Sequence, residues 1–76
     1  MEDKTTIYTK IVSCARVNGT YLDLDSSKYE VVDLITTYGN AVYVPYIIFG
    51  KYWAHCIVAY DGTPETVDVT VSYRKK

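Results

Sequence analysis

The sequence predicts a small α+β protein: a mostly antiparallel sheet of about five strands in the order ββ-α-ββ-β, with one helix packed on one face. Three stretches lead to this reading. Residues 41–60, AVYVPYIIFGKYWAHCIVAY, are the longest apolar run and are divided by Gly50-Lys51. Asn18-Gly19 stands between two alternating runs. Residues 27–38, SKYEVVDLITTY, show a helical apolar face behind a capping box. If 27–38 pairs as a strand instead, the chain becomes a six-stranded all-β barrel or sandwich.

Taken in order, residues 5–17 and 20–25 flank Asn18-Gly19, the strongest short hairpin signal. Such a turn opposes Val17 with Thr20, Ala15 with Leu22 and Ser13 with Leu24. Ile7, Ile11, Ala15, Val17, Leu22 and Leu24 then form an apolar face, and Arg16 lies diagonal to Asp23 on the other. In 27–38, Ser27 and Glu30 have capping-box spacing. Val31, Leu34, Ile35 and Tyr38 share a helix face, and Gly39-Asn40 supplies a stop. Against the helix stand the β-branched Val31, Val32, Ile35, Thr36 and Thr37.

A two-residue turn at Gly50-Lys51 makes 41–60 a hairpin with Phe49 opposite Tyr52 and Tyr43 opposite Val58. One face holds Tyr43, Phe49, Tyr52 and Tyr60. The other holds Val42, Val44, Tyr46, Ile48, Trp53, His55 and Ile57. Neither is polar, so each needs cover. The aliphatic face is expected to be core. Tyr43, Phe49, Tyr52 and Tyr60, whose polar-tipped rings tolerate water, are expected to meet a partner. Pro45 cannot donate to a ladder, which assigns 41–49 to an edge. Residues 65–73, ETVDVTVSY, alternate strictly, with Val67, Val69, Val71 and Tyr73 inward.

With 76 residues, one domain spanning 1–76 is expected. Apolar residues make up 49% and charged residues 22%, a globular and not a disordered balance. A net charge of −1 gives no global field to gather nucleic acid. Lys10, Arg16 and Lys51 are scattered, and Arg74-Lys75-Lys76 reads as a solvated end. The start Met-Glu-Asp-Lys is followed by no apolar segment, and Gly50, Lys51 and His55 interrupt 41–60. A cytoplasmic protein without membrane association is the expectation. Cys14 and Cys56 are then reduced thiols that serve packing.

The chemistry-bearing residues form no recognisable kit. His55 and Cys56 point to opposite faces of one strand, so they make no nucleophile–base pair. Asp23 and Asp25 offer too few oxygens for a hard cation. No phosphate loop, nucleophile elbow or zinc motif is present. The expected function is therefore non-enzymatic, with no cofactor and no metal. The chain reads as a protein-binding module, either a homodimer or an accessory or inhibitor protein, acting through an aromatic sheet face or an edge strand. The nine Tyr residues keep two alternatives open. One is single-stranded nucleic-acid binding, disfavoured by the scattered cations. The other is a small molecule or nucleotide in a Tyr-lined pocket.

Overall fold

A computed structural model describes residues 5–36 and 41–76. The architecture is all-β, with no helix among the described residues. Six strands run β1 (Tyr8–Ala15), β2 (Thr20–Asp25), β3 (Tyr29–Thr36), β4 (Ala41–Ile48), β5 (Lys51–Ala59) and β6 (Thr66–Lys75). They form two antiparallel three-stranded sheets, β1-β6-β3 and β2-β5-β4. The core lies between them, built from Cys14, Val67, Val69 and Val71 of the first sheet and Leu22, Leu24, Tyr43, Tyr52 and Ala54 of the second. The α+β class is thus corrected to the six-stranded arrangement that was its alternative.

The helix expected over 27–38 is strand β3, and two local features explain the misreading. Ser27 is not a helix cap. Its amide and hydroxyl both donate to Asp25 Oδ1, at 2.9 and 2.7 Å, so it belongs to an Asx turn. Glu30 reaches across to Arg74, 2.9 Å away on β6, not back to Ser27. The second feature is a register shift between Val31 and Asp33. Val32 is the extra residue and points out, so Val31 and Leu34 both turn inward. A bulge therefore gives two inward residues three positions apart, which is also helical spacing. The β-branched residues follow their strand preference once β6 offers a ladder. The expected Gly39-Asn40 stop lies outside the described residues.

Asn18-Gly19 does not close a hairpin. β1 pairs with β6 and β2 with β5, so residues 16–19 carry the chain from one sheet to the other. Ala15 N–H donates to Thr20 Oγ1 at 2.8 Å, which makes the corner. Arg16 is not paired with Asp23. Its amide donates to the Glu65 carbonyl and its guanidinium to the Thr63 carbonyl, at 2.8 and 2.9 Å. These bonds tie the β1–β2 corner to the β5–β6 connection. The alternating face of β1 is also reversed from expectation: Cys14 is buried and Val12 packs on the core, while Ile7, Ile11 and Val17 are exposed. β6 fits its pattern, with Val67, Val69 and Val71 buried at the centre of the first sheet.

Candidate functional site: the outer face of the second sheet

The hairpin of β4 and β5 turns at Phe49-Gly50, one residue earlier than expected. Ile48 pairs with Lys51, and both central residues have positive φ, 50° at Phe49 and 73° at Gly50. That is the type I′ pattern, which favours Asn or Asp followed by Gly. Gly50 fits without strain, and its carbonyl accepts the Ser26 amide at 2.8 Å. The cross-strand partners move by two, so Ile47 faces Tyr52 and Tyr46 faces Trp53, yet each face of the ladder beside the turn keeps its residues. Only beyond the shift between Val42 and Tyr43 does β5 change sides.

The burial of the two faces is the reverse of the expected assignment. Tyr43 and Tyr52 are 5% and 7% exposed, inside the core. The Tyr43 hydroxyl donates to the Ala15 carbonyl of the opposite sheet at 3.0 Å, with the Cys14 carbonyl at 3.4 Å. Burial pushes its pKa up to about 12, with the nearby Cys56 and Cys14 adding to the effect. The polar tip thus finds a backbone acceptor in place of water. Small Ala41 and Ala54, both buried, leave room for the two rings between the sheets. Of the four residues expected to meet a partner, Phe49 and Tyr60 are exposed, and the structure does not gather the four on one open surface.

The face left open is the aliphatic and aromatic one. Val42, Tyr46, Ile48 and Ile57 are 45–54% exposed on the outer side of the second sheet. Tyr21, Trp53 and Tyr46 stand in one row across β2, β5 and β4. The Tyr21 and Trp53 rings are 5.3 Å apart and tilted by 42°, and His55 stacks on Tyr46 at 5.3 Å and 13°. The indole Nε1 of Trp53 is buried without a hydrogen-bond partner. Lys51 lies in register with Asp25, its Nζ 5.5 Å from the Tyr21 ring centre. At the tip, Phe49 is 98% exposed.

β4 is the edge strand, as Pro45 requires. Ile48 and Lys51 flank a two-residue turn and so form a hydrogen-bonded pair; alternation makes Pro45 and Ala54 a non-hydrogen-bonded one. The donor that Pro45 lacks would have pointed away from β5, into the open edge. The edge is therefore blunted at its middle, and a partner is better met by the face than by adding a strand.

Sequence reasoning identified Phe49 and the two faces but chose the other face for the partner. The signal it lacked was the carbonyl waiting for Tyr43 on β1, which no local pattern contains. No cluster of metal-ligating side chains and no pocket is formed among the described residues, so the surface is a flat platform. Both cysteines are free thiols, Cys14 buried and Cys56 half-buried. Among the described residues no helix is long and apolar enough to cross a membrane. Comparison with protein-family models, with curated proteins and with solved structures finds no match.

Proposed function

We propose that this chain is a non-enzymatic binding module whose outer β2-β5-β4 face docks a second copy of itself. The observation that supports the reading is the row Tyr21–Trp53–Tyr46, continued by Val42, Ile48 and Ile57 into one exposed apolar surface. With Phe49, its exposed side-chain area is on the order of 700 Å², near the ~800 Å² that each partner contributes to a stable interface. Its composition suits a two-fold contact. The charges on it, Lys51 and Asp25, lie side by side with opposite sign, so two copies meet without single-sign repulsion. Tyr and Trp in a desolvated centre are the residue types that carry interface energy.

Native mass in solution tests this. Wild-type protein should elute at about twice its 8.7 kDa. Ile57→Lys places a charge in the middle of the face and should give the single mass, with its unfolding temperature shifted little, since Ile57 makes no core contact. Trp53, the sole tryptophan, reports on the same surface, and its emission should shift to the red on dilution. A single-chain mass at every concentration rejects the homodimer.

A further inference from the structure

We propose that the open end of the inner face of the first sheet is a binding surface for single-stranded nucleic acid. The site is separate from the dimer face, on the other sheet, so either reading can fail without the other. In the β1-β6-β3 ladder, Tyr8 stands opposite Tyr73, Lys10 opposite Val71, and Tyr29 opposite Lys75. Side-chain alternation puts Tyr8, Lys10, Tyr29, Tyr73 and Lys75 on the same side as buried Val69 and Val71. Toward Cys14 and Val67 that side is closed core. Toward Tyr8 and Lys75 every residue is only half-buried.

The geometry there is an aromatic stack bordered by amines. Tyr8 and Tyr73 stack at 5.7 Å with 27° between planes, Tyr29 meets Tyr73 edge-on at 5.6 Å, and Lys10 Nζ is 5.9 Å from the Tyr73 ring centre. The Lys76 amide donates to the Lys28 carbonyl at 3.0 Å, which brings two more amines to this end. The sequence spreads these cations over positions 10, 28, 75 and 76, and the β6 ladder gathers them. The carboxylates of this end are engaged elsewhere, Glu30 with Arg74 and Asp25 with Ser27. A local positive field beside π-faces is complementary to a strand with exposed bases and phosphates. A duplex keeps its bases stacked inside and would use only the amines. An acidic peptide would use the amines and not the rings.

Fluorescence anisotropy of a labelled oligothymidine tests the proposal. With phosphate contacts on the order of three, log–log salt dependence should have a slope near −2, so doubling the salt should weaken binding about fourfold. Tyr8→Leu, which keeps the site apolar but removes a ring, should weaken binding about tenfold. Lys10→Gln should weaken it and reduce the slope by about 0.7. Absence of binding at about 50 mM salt overturns the proposal. So does full competition by polyglutamate, or Tyr8→Leu protein that binds like wild type, because either result makes the surface a simple anion patch.

Discussion

Phe49 is the residue whose replacement separates folding from binding most cleanly. It occupies the first central position of a type I′ turn with φ of 50°, and its ring is almost wholly in solvent. A left-handed conformation costs an L-residue about 1–2 kcal/mol, much less for Asn, whose side chain can bond locally. Exposure of the ring gives nothing back in the free protomer. Phe49→Asn creates Asn-Gly, the preferred pair for this turn. The free protomer should therefore gain about 0.5–1 kcal/mol, which in a domain this small raises the unfolding temperature by several degrees. The dimer should respond in the opposite direction. An aromatic anchor at an interface carries about 2 kcal/mol or more, so the dissociation constant should rise roughly 30-fold. Sedimentation over a dilution series gives the association constant, and thermal unfolding at concentrations below it gives protomer stability, keeping mass action out of the comparison. A less stable Phe49→Asn protomer would show that the ring packs on its own chain. Unchanged association in a stabilised protomer would show that Phe49 lies outside the contact. Either outcome refutes the reasoning.

Other consequences are checked by stability and labelling. Tyr43→Phe removes the hydroxyl that serves the Ala15 carbonyl and should cost about 1–2 kcal/mol in chemical denaturation while leaving native mass unchanged. Native protein should react with a thiol reagent once, at Cys56, because Cys14 is wholly buried. Burial, with Asp68 nearby, also pushes the Cys14 thiol from 9.0 up to about 11, so the unfolded chain ionises first and stability should fall as pH rises between those values, a loss that Cys14→Ala removes. At acid pH the sign reverses. The Arg74 bond holds the Glu30 carboxyl below its usual 4.5, and the Ser27 amide holds Asp25 below 3.8, so their stabilisation is complete above those values and is lost as pH falls through the lower folded ones. Glu30→Gln should flatten the acid side of a melting-temperature profile, by a small amount since both groups are solvent-exposed.

Some of this fold is legible in the residues alone. The strict alternation of 65–73 makes β6 a strand with Val67, Val69 and Val71 inward, because a period of two has no helical counterpart. Pro45 marks β4 as an edge, because a missing N–H is tolerated only where no strand needs it. Gly50 marks a turn, and the apolar content of both hairpin faces signals that the second sheet presents a surface needing cover.

Other features depend on what the chain meets in space. Val31 and Leu34 have a spacing that a helix and a bulged strand both satisfy, and only pairing with β6 selects the strand. Asn18-Gly19 permits a tight hairpin, but the valine stripe of β6 claims β1 and the Leu22–Leu24 segment pairs beside β5, so the turn becomes a corner between sheets. The burial of Tyr43 rests on an acceptor 28 residues away in sequence. The cations at positions 10, 28, 75 and 76 become neighbours only through the ladder. Local composition determined which segments extend and where they turn, since those preferences act over a few residues. Tertiary structure decided which face is core and which charges converge, because hydrogen-bond partners and packing volumes come from strands distant in the chain.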